Sequence, residues 1–163
     1  MTRKRSFPPV VGRAPRVLLL GSLPGEASLR LGQYYGHPRN AFWELAGAAL
    51  GEDLRALPYR RRLARLKARG VALWDAVGSA RRRGSLDSAI RDERRNPVLA
   101  LIRRTRVRAV FLNGRKAQSA FRRSCRAVPP GVRVVLLPSS SPANAGVPYA
   151  RKRAAWRKIA RVL

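Results

Sequence analysis

Residues 33–43 read QYYGHPRNAFW and put the chain's one histidine, His37, beside Tyr34, Tyr35 and Asn40. A carboxamide offers a donor and an acceptor without titrating, so Asn40 could hold a reacting water. A tyrosine face could stack on a planar base. The competing reading makes Asn40 the N-cap of a helix starting just after it, with the tyrosines in the core and His37 shaping the turn before Pro38. Three further stretches carry chemistry-bearing types. Gly21, Ser22, Leu23, Pro24 and Gly25 form a Gly/Pro turn where backbone could approach a ligand closely. It has neither the Gly-Lys-Ser/Thr ending of a phosphate-binding P-loop nor a dinucleotide fingerprint. Asn113, before Gly114, suits either reading a base edge or simply starting a turn. Ser139, Ser140, Ser141, Pro142, Ala143 and Asn144 offer hydroxyls and free N–H groups, a compact clamp for phosphate, or a plain Ser/Pro loop. Asp75 and Asp87 sit among arginines. Asp87 is read as capping or pairing locally, with catalysis as the alternative. A serine nucleophile is unattractive, because His37 alone would have to serve as its base.

The partner is suggested by charge. The chain has 163 residues, 36 Lys+Arg against 8 Asp+Glu, and a formal net charge of +28. Lysine supplies only Lys4, Lys67, Lys116, Lys152 and Lys158. An arginine-dominated surface suits bidentate phosphate contacts, which makes nucleic acid the first candidate. General arginine enrichment at neutral surface positions is the bland alternative. One cysteine, Cys125, excludes an internal disulfide, and with one histidine a protein-built zinc site is not expected. No metal and no cofactor are expected. No apolar stretch suits a signal peptide or a membrane span. The expected setting is cytoplasmic, associated with a bacterial nucleoid by way of DNA, and the expected state is a monomer.

The elements that must position these loops follow from periodicity. RVLLLGS (16–22), VALW (71–74), VRAVFLNG (107–114) and VRVVLLP (132–138) are short apolar runs of the kind found in buried parallel strands. Phe42, Leu45, Ala46, Ala49 and Leu50 recur at helical spacing, with Gly51 as the stop. Leu57, Leu63 and Leu66 continue a second helix up to Gly70. Asn96 and Pro97 read as the N-cap and first position of a third. GRKAQSAFRRSC (114–125) and YARKRAAWRKIARVL (149–163) supply two more. The alternation predicts an α/β fold, a mostly parallel sheet of about four strands covered on both faces. Ligands of such sheets sit at the carboxyl ends of the strands, which selects the loops 21–40, 74–88, 113–116 and 138–148. Residues 1–16 are read as a basic, loosely held arm, and 17–163 as a single domain.

With these loops in place, the sequence resembles the uracil-DNA glycosylase superfamily, and within it the hypoxanthine-DNA (deoxyinosine) glycosylases of its sixth family. LLLGSLPGEASLRLGQYYGHPRNAFW, ALWDAVGSARRRGSLDSAIRDE, FLNGRKA and LPSSSPANA carry the resemblance, in order, from residue 18 to about 160. It implies a three-layer α/β/α fold that binds DNA across the strand ends. The target nucleotide would be flipped into a pocket and its glycosidic bond hydrolysed, without metal or cofactor. Motif one corresponds to Gly21–Gly25, and Leu23 stands where mismatch-specific relatives hold water with an asparagine. The resemblance moves that role to Asn40, in the His-Pro-x-Asn segment. It makes Tyr35 the stacking platform, Asn113 a reader of the base edge, and 139–144 the minor-groove and intercalation loop. Leu137 stands where uracil-specific members often have a leaving-group histidine, which argues against uracil chemistry of that type. SARRRGSLDS carries Arg where relatives tend to have an acid, leaving that loop without an assigned role.

The expected function is therefore a monofunctional DNA glycosylase for deaminated bases, mainly hypoxanthine, that uses water and initiates base excision repair. The alternatives are a uracil or broader-lesion glycosylase, and a non-catalytic nucleic-acid-binding module on the same fold.

Overall fold

The computed structural model describes residues 2–163. Its centre is the expected parallel sheet, built from β2 (Val17–Gly21), β3 (Val71–Asp75), β6 (Ala109–Asn113) and β7 (Arg133–Leu137) in the order β3-β2-β6-β7. All five residues of β2, β3 and β6 are buried, which is why they read as unbroken apolar runs. Their alternation still shows in the packing. Val17, Leu19, Leu73 and Phe111 face one core, with α2 (Phe42–Leu50), α3 (Tyr59–Ala68) and α6 (Tyr149–Trp156). Leu18, Leu20, Trp74 and Leu112 face the other, with α4 (Val98–Arg103) and α5 (Arg115–Ser124). A short α1 (Glu26–Leu31) follows the first loop. Helix α2 spans the predicted residues and ends at Gly51 in the left-handed conformation, φ 67°. Among the described residues no helix is long and apolar enough to cross a membrane.

Three expectations change. Residues 3–5 of the arm form β1 (Arg3–Arg5), which pairs antiparallel with β4 (Val77–Arg81). Chain 6–10 is also tied down: Trp74 Nε1 donates to the Phe7 carbonyl, Tyr34 Oη to the Pro8 carbonyl, and Val10 bridges Leu73. The aromatic hydroxyl and indole need acceptors once buried, and the arm's carbonyls supply them. Second, the stretch expected as one loop over 74–88 contains β4, and β5 (Arg91–Arg95) pairs with it to complete a three-stranded antiparallel sheet. The sequence RDERR of β5 has no apolar alternation because four of its five residues are exposed. Third, Asn96 does not cap α4. Its Nδ2 donates to Ser6 Oγ and to the Asp75 carbonyl, 3.0 and 2.8 Å, so the helix begins after Pro97.

Candidate active site

The loops at the carboxyl ends of the parallel strands enclose a cleft of about 880 Å³. Gly21, Ser22, Leu23, Pro24, Gly25, Tyr35, Asn40, Asn113 and all of 139–144 line it, so the structure brings together every site residue predicted from sequence. Tyr34, His37, Asp75, Asp87, Arg115 and Lys116 join them. Parallel pairing is the cause. It sets Gly21 beside Asp75 and Asn113 beside Leu137, so the strands end together and their loops converge.

Tyr35 is held from three directions. Its backbone has φ 53°, uncommon for a residue with a side chain and a form of strain that concentrates at functional sites. Its ring stacks on Phe42, centroids 3.8 Å apart and planes 6° from parallel. Its hydroxyl oxygen accepts the Asn113 amide at 3.3 Å. Burial, reinforced by the negative charge of Asp75, pushes the phenol well above its ordinary range, so it is neutral. Gly21 is glycine for space: a Cβ there would lie 2.5 Å from Tyr35 Oη and 2.6 Å from Asp75 Oδ1.

Asn40 makes the local helix contact that the capping reading expects, and it also lines the cleft. Its Oδ1 accepts the N–H of Phe42, the first helical residue, at 3.0 Å, while the formal N-cap of α2 is Ala41. That bond fixes the plane of the amide and uses one of two lone pairs on the oxygen. His37 builds the turn before it, its Nδ1 accepting from Arg39 N–H and its carbonyl from Asn40 N–H.

Asn113 is a latch. Its Nδ2 donates to Tyr35 Oη and to Ser140 Oγ, 3.3 and 2.9 Å, and its Oδ1 accepts from Ser140 N–H at 2.9 Å. Both amide hydrogens are thus committed inside the protein, and one lone pair is left to offer a base. The 139–144 loop is braced by local serine turns, by Asn144 Nδ2 on the Ser139 carbonyl, and by Ala41 N–H on the Ser140 carbonyl. Pro142 and Ala143 are left exposed at its tip.

The 82–90 loop, without an assigned role from sequence, secures the first loop. Arg82 is 1% exposed, and its guanidinium donates to the carbonyls of Leu23, Pro24 and Gly84. Ser85 Oγ accepts from Glu26 N–H, and Ser22 Oγ donates to Asp87 Oδ1 at 2.6 Å. Arg82 lies within a run of three arginines, and nothing in the run distinguishes the buried one. Asp75 is 3% exposed, and its Oδ2 has no hydrogen-bond partner. Burial first, then the charge of Asp87, pushes its carboxyl up to about 7, with Arg82 opposing. Burial also raises Asp87, against the hydrogen bond from Ser22.

The family model of the uracil DNA glycosylase superfamily matches residues 8–161. A hypoxanthine DNA glycosylase of Methanosarcina barkeri is 41% identical over 143 residues, 87% of this chain and 89% of that protein. Its namesake in Methanosarcina acetivorans is 42% identical over 142 residues, 86% of this chain and 88% of its own length. A solution NMR structure from Methanosarcina acetivorans, assigned as a uracil DNA glycosylase, superposes with a TM-score of 0.83 at 38% identity, covering 97% of this chain and 99% of that one. The strand-end cleft, its motif loops and these similarities agree: the chain belongs to the uracil DNA glycosylase superfamily.

Proposed function

We propose that this protein excises deaminated bases from DNA, hypoxanthine above all, by flipping the nucleotide into the cleft and hydrolysing its glycosidic bond. The observation that carries this reading is the convergence of Asn40, Tyr35 and the 21–25 loop on one cleft with the 139–144 loop at its rim. The similar Methanosarcina proteins named hypoxanthine DNA glycosylases support the choice of base.

Cleavage builds positive charge on the sugar and negative charge on the departing base. Asn40 holds the attacking water through the lone pair of Oδ1 that Phe42 leaves free, and the Phe42 bond keeps that oxygen aimed. Tyr35, backed by Phe42, gives the base a rigid stacking face. Stacking of this kind contributes roughly 1–3 kcal/mol per base and tolerates purine or pyrimidine. Backbone N–H groups of the 21–25 loop receive charge developing on the base. Ser139, Ser141, Asn144 and Arg115 contact phosphates, and the exposed Pro142–Ala143 tip enters the space that the flipped nucleotide leaves. The enzyme works as a monomer, in the cytoplasm with the cell's DNA, and its product is an abasic site for base excision repair.

The test is incubation with labelled duplexes that hold a single hypoxanthine, uracil, xanthine or mismatch, followed by alkali. Strand cleavage at hypoxanthine is the expected result. No cleavage at any lesion leaves only a DNA-binding module and refutes the proposal.

A further inference from the structure

The fold holds one apolar side chain out in water at the mouth of the cleft. Leu86 lines the cleft yet is 58% exposed, on the hairpin loop 82–90 between β4 and β5. The chain on both sides of it is pinned. Arg82 Nε and Lys4 Nζ both donate to the Gly84 carbonyl, 2.9 and 2.8 Å, where the backbone turns in the left-handed conformation at φ 69°. Ser85 Oγ accepts from Glu26 N–H at 2.9 Å, and Asp87 Oδ1 accepts from the Ser22 hydroxyl at 2.6 Å. Arg91 donates to the Ser88 carbonyl at 2.6 Å, and Ile90, 5% exposed, ties the loop into the core. Leu86 is thus suspended between Ser85 and Asp87, each fastened to the chain that follows β2, with more than half of its own surface in solvent.

A lone exposed leucine is ordinary on a protein surface and adds little to folding. Its place makes this one different. Flipping a purine leaves a base-sized gap in the stack, and the Pro142–Ala143 tip brings only a ring and a methyl to fill it. The 139–144 loop leaves β7 at one edge of the parallel sheet, and the 82–90 hairpin continues from β3 at the other. Arg83 and Arg91, both exposed, flank Leu86 along the chain and offer guanidinium groups to phosphates. The braced loop also matters, because a side chain already held in place loses little freedom when it binds.

We propose that Leu86 is a second DNA wedge, entering the base stack beside the extruded nucleotide from the β3 side of the cleft while the Pro142–Ala143 tip enters from the β7 side. This rests on reading the cleft as the receiver of a flipped nucleotide. The wedge acts on extrusion and leaves the chemical step to other groups. Its apolar surface, moved from water into the stack, offsets part of the cost of unstacking. Its contribution therefore grows with how firmly the duplex holds the lesion. It is large for hypoxanthine paired with cytosine and small for hypoxanthine opposite an abasic site.

Single-turnover excision is measured on those two duplexes for the wild type, Leu86→Ala, Leu86→Gln and Leu86→Met, with melting temperature alongside. A 2-aminopurine placed next to the lesion reports the stack directly, since it brightens when unstacked. Leu86→Ala and Leu86→Gln should be slower by about tenfold on the paired lesion and by less than about threefold opposite the abasic site. Their melting temperatures should match the wild type, because the side chain is exposed. Leu86→Met, apolar and of similar size, should keep the wild-type rate. The brightening that the wild type produces on binding should be lost in Leu86→Ala. The proposal is overturned if Leu86→Ala or Leu86→Gln excises the paired lesion at the wild-type rate. It is also overturned if Leu86→Ala is slowed equally on both duplexes, which would place Leu86 against the nucleotide inside the pocket. A wild type that excises nothing yet brightens 2-aminopurine through Leu86 refutes the glycosylase reading and leaves the wedge standing; one that does neither refutes both.

Discussion

Replacing Gly21 with alanine tests whether the cleft floor is set by contact. The added Cβ would sit 2.5 Å from Tyr35 Oη and 2.6 Å from Asp75 Oδ1, where ordinary contact begins at 3.4 Å. Each oxygen must therefore retreat by about 1 Å, the scale of misplacement that costs an active site about 100-fold. Neither has an easy path. The Tyr35 ring is stacked on Phe42 at 3.8 Å with its hydroxyl bonded to Asn113, and the Asp75 carboxyl is buried. Overpacking of this kind destabilises by about 1–3 kcal/mol, and in a chain of this size each kcal/mol lowers Tm by about 2–4 °C. The same 100-fold raises the activation barrier by about 2.7 kcal/mol. A control separates the two effects. Gly51→Ala forces a side chain into the left-handed conformation at φ 67°, costing about 1–2 kcal/mol, but its Cβ meets nothing within 4 Å. Single-turnover excision of hypoxanthine and thermal melting are read on both variants. Gly21→Ala should lose both stability and rate, and Gly51→Ala stability alone. A Gly21→Ala enzyme within about threefold of the wild-type rate would refute the claim that these two oxygens are held where the reaction needs them.

Asn40→Ala should abolish detectable excision while leaving affinity for undamaged duplex nearly intact, and it should cost about 1 kcal/mol in stability because Phe42 N–H loses its acceptor; unchanged turnover would rule out the water-holding role. Asn113→Ala removes three hydrogen bonds that join β6, Tyr35 and Ser140, so it should destabilise by about 2–3 kcal/mol in chemical denaturation and slow excision of every lesion alike. A selective loss on one base would instead make Asn113 a reader of the base edge. Glu52 is held down to about 2 by hydrogen bonds from Arg65 and Arg69, against an ordinary 4.5. A depressed carboxyl stabilises the fold above its unfolded value, so that stability should drain away as pH falls from 4.5 towards 2, and Glu52→Gln should flatten the decline in acid melting curves.

The parallel sheet, helix α2 with its Gly51 stop, and the cleft-lining loops were all legible in the sequence. Val- and Leu-rich runs of strand length announce strands buried on both faces, and the carboxyl-end rule then collects Gly21–Gly25, Asn40, Asn113 and 139–144 without any contact being known. These are local or nearly local signals, set by period and by where a run stops. What tertiary structure alone decided is how each polar group is used. Asn113 looked like a base reader because its residue type allows it; whether its hydrogens are free depends on Tyr35 and Ser140, 78 and 27 residues away. Asn96 looked like a cap and instead ties the arm, through Ser6, to the end of β3. Charged RDERR became a strand because β4 supplied hydrogen-bond partners, and Arg82 became the buried one of three arginines because the carbonyls of Leu23 and Pro24 lay within its reach. Asp75 is the sharpest case. The end of an apolar strand marked its position, but only the assembled cleft buries the carboxyl and leaves its Oδ2 without a hydrogen-bond partner. Hydrogen-bond satisfaction is a property of the surroundings in space, and the order of residues along the chain does not carry it.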